Sequence, residues 1–132
     1  MSRVGRLLAA ATLVGGLIAS ASPAMAARPG TFNFDACWDG SQVVASLSWS
    51  GVRVANYAFS AGTNDGVGFG YLAPVDPPST SGNATIDPDF ATNIDDSMDL
   101  VGGDVYGKGT RRAIFSDTVQ RPGATWANLD AC

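Results

Sequence analysis

Apolar and polar residues alternate along two neighbouring stretches, 31–38 and 42–49. A period of two is typical of β-strands that bury one face. Asp39-Gly40 separates the stretches, and this dipeptide between alternating runs is the strongest short-range signal for a β-hairpin. A two-residue turn there sets the register and places Trp38 opposite Ser41. The other pairs then put apolar side chains together on one face: Ala36 with Val43, Phe34 with Ala45, and Phe32 with Leu47.

After Ser50-Gly51 the alternation changes phase within the stretch 52–60, because its valines and its aromatic residues fall on opposite faces. A β-bulge near Ala55-Asn56 would realign them, and a strand buried on both faces is the alternative. A further strand is predicted at 67–71, where glycines alternate with apolar residues.

From 73 to about 99 the chain has no sustained period and is rich in Pro, Ser, Thr and Asp. This composition predicts a long loop, and loops of this length in a small domain tend to be functional or disordered. Within it, Asp87 as N-cap and Pro88 at the first helical position predict a helical turn over 88–92. Short strands and tight turns are predicted from 100 to 131.

Five to seven short strands predict an all-β fold, a small antiparallel β-sandwich with one disulfide, and a small β-barrel is the alternative. The alternating run Val43 to Trp49, followed by Tyr57-x-Phe59, resembles the second and third strands of fibronectin type III modules. The resemblance implies an immunoglobulin-like or fibronectin-like sandwich in which these two strands lie in opposite sheets. It concerns the fold alone and transfers no functional residue.

The first 26 residues have the pattern of a secretory signal peptide. Arg3 and Arg6 precede an apolar run of 13 residues, 7–19, and Ala24-Met25-Ala26 supplies a cleavage site. A membrane anchor needs about 20 apolar residues. We therefore expect a secreted, extracellular protein with a single β-rich domain, 27–132, and no membrane insertion after cleavage.

The charge balance is acidic, with a formal net charge of −4 for the whole chain. Loss of the two signal arginines leaves six basic residues against 12 acidic ones, a net charge of −6. This excess argues against nucleic acid or anionic membranes as partners, since both require a basic surface. The acidic residues are all Asp, which favours turns and caps over helix interiors.

Cys37 and Cys132 are the two cysteines of the chain. In an exported protein they predict one disulfide, which would join the first strand to the last residue. Metal ligation by two thiols without His falls short of the usual four zinc ligands. Because the sequence has no His and no Glu, the usual general base is missing, and we assign no catalytic residue and no cofactor.

Calcium is the one ligand for which the sequence offers candidate residues. Oxygen-rich loops of extracellular modules coordinate it through six to eight ligands. Compared with an EF-hand loop, Met98 occupies the glycine position and Asp104 replaces the bidentate Glu, so a solvated acidic surface is the alternative. The candidate ligands are Asp87, Asp89, Asn93, Asp95, Asp96, Asp99 and Asp104.

These observations favour a secreted binding or structural module whose partner is an unknown protein or glycan. Trp38, beside the predicted turn, is the tryptophan expected to be exposed, and it is the candidate binding aromatic. A calcium-binding extracellular module and a secreted protease inhibitor that presents 74–83 are the alternatives.

Overall fold

The computed structural model describes residues 30–132, and the predicted signal segment 1–26 lies outside them. The elements in chain order are β1 (Thr31–Trp38), β2 (Val43–Gly62), β3 (Gly68–Thr85), α1 (Pro88–Ala91), β4 (Leu100–Tyr106), β5 (Phe115–Gln120) and a 3-10 helix (Trp126–Asn128).

The strands form one five-stranded antiparallel sheet, with β2 at its centre. The first half of β2 pairs with β1 and the second half with β4, which in turn pairs with β5. β3 runs along the opposite edge of β2 for most of its length. The prediction of an all-β fold is confirmed.

The first hairpin forms where the sequence predicts it, but its register differs. Trp38 lies opposite Val43 and Ala36 opposite Ala45, so four residues, 39–42, form the connection. The predicted two-residue turn is wrong because the Asp39 carboxylate accepts the backbone N–H groups of Ser41 and Gln42, each at 2.8 Å, and widens the turn. A shift of two residues keeps every side chain on its face, and the predicted apolar face is preserved.

β2 continues through Ser50-Gly51, where the sequence suggested that one strand ends and another begins. The buried residues change from odd to even positions after Trp49 and return to odd positions by Phe59. Register shifts against β3 occur at the same two places, one on each side of Val54. The predicted bulge near Ala55-Asn56 is therefore confirmed, and a first irregularity at Gly51, with φ +76°, accompanies it.

These irregularities let the sheet curl until its two halves face each other. The Phe32 and Phe115 rings stack at 5.7 Å between centroids, joining β1 to β5. Phe34 lies over Gly103 of β4, where even a methyl group would meet the ring at 2.6 Å. One curled sheet takes the place of two separate sheets, and the stretches 43–49 and 57–59 belong to a single strand rather than to opposite sheets. The main core residues are Val43, Ala45, Leu47, Trp49, Val54, Phe59, Ala61, Val101, Val105 and Trp126.

Nearly half of the predicted loop 73–99 is strand instead: its residues up to Thr85 belong to β3. The Trp49 side chain lies against Gly82 and donates its indole N–H to the Ser79 carbonyl at 3.1 Å. The predicted helical turn is confirmed as α1, whose N-cap Asp87 accepts the Asp89 N–H at 2.9 Å.

The predicted disulfide between Cys37 and Cys132 is present, with the Cα atoms 5.0 Å apart. The Trp38 N–H donates to the Asp130 carbonyl at 2.8 Å, and the Cys132 N–H donates to the Trp38 carbonyl at 3.1 Å. Disulfides of this kind are typical of oxidising, extracellular settings. No helix within residues 30–132 has both the length and the apolar character needed to cross a membrane.

Candidate functional site

The structure does not gather the candidate calcium ligands into one site. Within residues 30–132, no group of three or more acidic or cysteine side chains is placed to hold a metal ion. Asp87 and Asp89 lie at the start of α1, where Asp87 is the cap and Asp89 is in the first turn. The Asn93 side chain donates to the Asp89 carbonyl at 3.4 Å.

The other carboxylates are engaged elsewhere. Asp95 accepts the Ser97 N–H at 2.9 Å and the Ser97 hydroxyl, and these hydrogen bonds lower the pKa of the Asp95 carboxyl. Asp96 accepts the Trp126 N–H at 2.9 Å and the Thr125 hydroxyl at 3.0 Å, which ties this segment to the 3-10 helix. These carboxylates act as structural acceptors.

Arg121 joins the end of the acidic segment to β5. Its guanidinium pairs with Asp99 at 3.3 Å and donates to the carbonyls of Met98, at 3.1 Å, and Asp96. Asp104, on β4, accepts the Tyr106 hydroxyl at 3.2 Å. Burial and the charge of Asp104 raise the pKa of the Tyr106 phenol.

The tryptophans contribute to the core. Trp38 is half-buried and packs against the core cluster, so its side chain is less accessible than the sequence suggested. Trp49 and Trp126 are buried, with exposed fractions of 5% and 1%. The binding aromatic predicted at Trp38 therefore has only part of its ring available.

The exposed large apolar side chains of residues 30–132 are concentrated at one hairpin. Val67 is 68% exposed, Leu72 is 62% exposed and Phe69 is 37% exposed. All three lie at the tip of the β2–β3 hairpin or in the first residues of β3. We call residues 67–72 the hairpin edge. Clustered exposed apolar residues of this kind mark interaction surfaces more often than single ones do.

A shallow groove of about 430 Å³ lies beside the hairpin edge, on the outer face of the sheet. Its floor crosses four strands, from Gly70 through Ser60 and Gly102 to Thr118. Gly68 and Gly70 have no side chains to fill it, and a Cβ at Gly70 would stand 2.8 Å from the Phe59 carbonyl oxygen. The groove therefore depends on the glycines that alternate in this strand.

The free edge of β3 also presents backbone groups beside the groove. β2 is the neighbour of β3 in the sheet, and the Thr63 N–H donates to the Val67 carbonyl at 2.7 Å. Since bonded pairs recur at every second residue of an antiparallel ladder, Gly68, Gly70 and Leu72 direct their N–H and C=O groups away from β2. Pro74, the next outward-facing position, has no N–H and ends this open stretch.

The opposite side of the hairpin edge is held rigidly. Phe69 and Tyr71 pack on Phe90 of α1, with centroid separations of 5.1 and 4.8 Å. The Tyr71 hydroxyl oxygen accepts the Asp87 N–H at 2.8 Å, and burial raises the pKa of the Tyr71 phenol. These contacts hold one face of the hairpin edge against α1.

Sequence reasoning identified the strand 67–71 and its glycines but missed the surface that they form. Comparisons of the chain with protein-family models, curated proteins and solved structures find no match.

Proposed function

We propose that the protein is a secreted binding module that takes up an extended segment of a partner protein as an added strand along the hairpin edge. The observation that carries the proposal is the coincidence of three features in six residues: exposed apolar side chains, outward-facing backbone groups and a groove. Strand addition uses these features, because backbone hydrogen bonds supply affinity and side-chain sites supply specificity.

The partner segment would pair with Gly68, Gly70 and Leu72. Side chains of an added strand alternate between its two faces, so those directed to the outer face would extend over the two glycines towards the groove. Apolar residues suit this position, because Leu72, which lies on the same face of β3 as the two glycines, is apolar and 62% exposed. The rest of the β3 edge is less suited, since Pro77 and Pro78 remove further backbone donors.

Two other candidate functions have less support. An inhibitor would present 74–83 as a protruding loop, whereas these residues belong to β3. A glycan site commonly stacks sugars on exposed aromatic rings, whereas the tryptophans are wholly or partly buried. The N-terminal segment and the disulfide support secretion, which N-terminal sequencing of the exported protein would test. A mature chain that begins at Ala27 is the expected result.

Selection from a random peptide library against the oxidised protein tests the proposal. We expect the selected peptides to be extended, rich in apolar residues at alternate positions, and competitive with one another. N-methylation of alternate backbone amides of the best peptide should abolish binding, whereas N-methylation of the amides between them should be tolerated. Tolerance at every position would contradict strand addition, and binding to a glycan array without any peptide selection would overturn the proposal.

Two substitutions of one residue separate backbone from side-chain contributions. L72P removes an outward N–H and leaves the bonds of Tyr71 and Ala73 to β2 in place, so it should weaken peptide binding at least tenfold. L72A retains the N–H and should weaken binding only several-fold. T80A, an exposed change elsewhere in β3, is the control and should have no effect. The N-methylation result does not depend on how well L72P folds.

A further inference from the structure

A second concavity lies on a different part of the molecule, where the bend of β2 meets the loop between β4 and β5. It has a volume of about 580 Å³, within the range of roughly 300–1,000 Å³ common for ligand pockets. We call it the basic hollow. Its lining residues are Gly51, Val52, Arg53, Thr110, Arg112, Ala113 and Ile114.

The charge of the basic hollow is opposite to that of the rest of the protein. Residues 30–132 contain five basic and 12 acidic side chains, and none of the acidic ones lies in 51–53 or 107–114. Arg53 and Arg112 line the hollow, and Lys108 and Arg111 belong to the same loop as Arg112. Two of the five basic residues thus line one concavity of an acidic domain, and two more belong to the loop that forms one side of it.

These cations have no acidic partner in the described part of the chain, where the one ion pair joins Arg121 to Asp99. The loop itself is ordered by the Ile114 N–H bond to the Val105 carbonyl, at 2.7 Å, and by the Thr110 hydroxyl, which donates to the Gly107 carbonyl at 3.0 Å. The two guanidinium groups are therefore available on a fixed backbone, and each can donate two parallel hydrogen bonds to an oxyanion.

Apolar surface completes the hollow. Val52, Ala113 and Ile114 lie beside the two arginines, and Val52 and Ile114 are continuous with the hydrophobic core. A ligand that matches both parts must combine an oxyanion with an alkyl or similar apolar group. An inorganic anion would leave the apolar surface uncovered, and a neutral apolar molecule would leave the arginines without a counter-ion.

We infer that the basic hollow binds single molecules of a small anionic amphiphile, whose carboxylate, sulfate or phosphate contacts Arg53 and Arg112 and whose apolar part covers Val52, Ala113 and Ile114. A single molecule fits better than a membrane surface, because the protein as a whole carries a negative charge that anionic membranes repel. This site is separate from the hairpin edge, and neither proposal depends on the other.

Titration with decanoate below its micelle concentration, followed by backbone amide chemical shifts, tests the inference. We expect saturable shifts centred on 51–53 and 110–114, and an affinity that rises by up to about fourfold for each methylene from hexanoate to decanoate. Decanol at equal concentration should bind at least about tenfold more weakly. Equal binding of decanol and decanoate, or no dependence on chain length, would overturn the inference.

Substitutions then assign the contacts. R53Q and R112Q should each weaken decanoate binding several-fold, whereas R111Q is the matched control, with the same charge change in the same loop, and should alter it less than twofold. A113F fills the apolar side of the hollow and should remove the dependence on chain length. Equal losses in R53Q, R112Q and R111Q would indicate unspecific attraction and contradict the site.

Binding to vesicles distinguishes a site for single anionic amphiphiles from a surface that binds anionic membranes. The protein should bind phosphatidylglycerol vesicles no better than phosphatidylcholine vesicles at physiological salt. Binding to phosphatidylglycerol vesicles without saturable decanoate binding would overturn the single-molecule site in favour of a membrane surface. The shifts of the wild-type spectrum also show directly whether decanoate reaches the hollow, whatever the stability of the variants.

Discussion

Gly103 provides the sharpest test of how the curled sheet is packed. It lies in β4 with its missing side chain directed between the two halves of the sheet. A methyl group there would come within 2.6 Å of Phe34 Cδ1 and 3.2 Å of Leu47 Cδ2. Because contacts below 3.0 Å are not tolerated, G103A must displace the Phe34 ring or separate the halves.

The expected cost follows from two opposing effects. Overpacking a close-packed core costs about 1–3 kcal/mol. Replacing Gly by Ala restricts the unfolded chain, and this offsets about 0.4–1 kcal/mol of the overpacking cost. We therefore expect G103A to lower the free energy of unfolding by about 1–2 kcal/mol, which for a domain of this size lowers the Tm by roughly 5 to 15 °C.

Gly102, the preceding residue of β4, is the matched control. Its Cβ would point to the outer face and meet the Thr118 methyl at 3.1 Å and the Ser60 hydroxyl at 3.2 Å, which can move, and the Asp117 carbonyl oxygen at 3.3 Å, so no contact falls below 3.0 Å. G102A should therefore change the free energy of unfolding by less than about 0.5 kcal/mol. Urea unfolding followed by tryptophan fluorescence measures both variants, and F34L should restore part of the stability of G103A.

A result in which G103A is as stable as the wild type, or G102A is the more damaging change, would refute this account of the packing. It would mean that the two halves of the sheet are not in contact at Phe34.

Three further outcomes are expected from equilibrium unfolding measurements. The pair C37S/C132S should lose about 4–5 kcal/mol, since the disulfide closes a loop of 95 residues, and reduction of the wild type should give the same loss. R121K should lose about 1–3 kcal/mol, because an ammonium group cannot serve Asp99 and the backbone carbonyls together, and a variant of wild-type stability would contradict the bridging role. Burial raises the pKa of the Tyr71 phenol, so the stabilisation by this residue is fully present below the pKa of the unfolded phenol, about 10, and is lost as the pH rises towards the folded value. Y71F should flatten this alkaline decline of the free energy of unfolding. An unchanged pH profile of Y71F would contradict the assignment.

The local pattern of the sequence predicted much of the sheet. Alternation located the first hairpin, and the phase change between the valines and the aromatic residues of 52–60 located the bulge near Ala55-Asn56. The register was missed because Asp39-Gly40 marks a turn without fixing its length. The Asp39 carboxylate caps two backbone N–H groups and stabilises a four-residue connection, and these hydrogen bonds lower its pKa.

The second part of β3, after Tyr71, was missed for a different reason. It contains Pro77 and Pro78 and has no period, and both properties are usual in a loop. They are also tolerated in an edge strand, which needs hydrogen bonds on only one side. Whether a strand lies at an edge depends on the topology of the whole sheet, which local pattern does not report.

The two proposed sites depend on the same non-local information. Val67 and Leu72 look like ordinary strand residues in the sequence, and only the sheet order shows that they lie on an uncovered edge. Arg53 and Arg112 are far apart along the chain, and only the fold brings them to one concavity. In the acidic segment, closeness in sequence suggested a shared site that the fold does not form. Its carboxylates are neighbours in the sequence, yet the structure directs them to different hydrogen-bond donors.

Amide hydrogen exchange along β3 tests the central claim most directly. In the free protein, the amides of Gly68, Gly70 and Leu72 should exchange rapidly, while those of Phe69 and Tyr71, which bond to β2, should be protected. Binding of a library-selected peptide should slow exchange at the first three at least tenfold. Protection of these amides in the free protein, or unchanged exchange in the complex, would show that the hairpin edge is not where a partner strand is added.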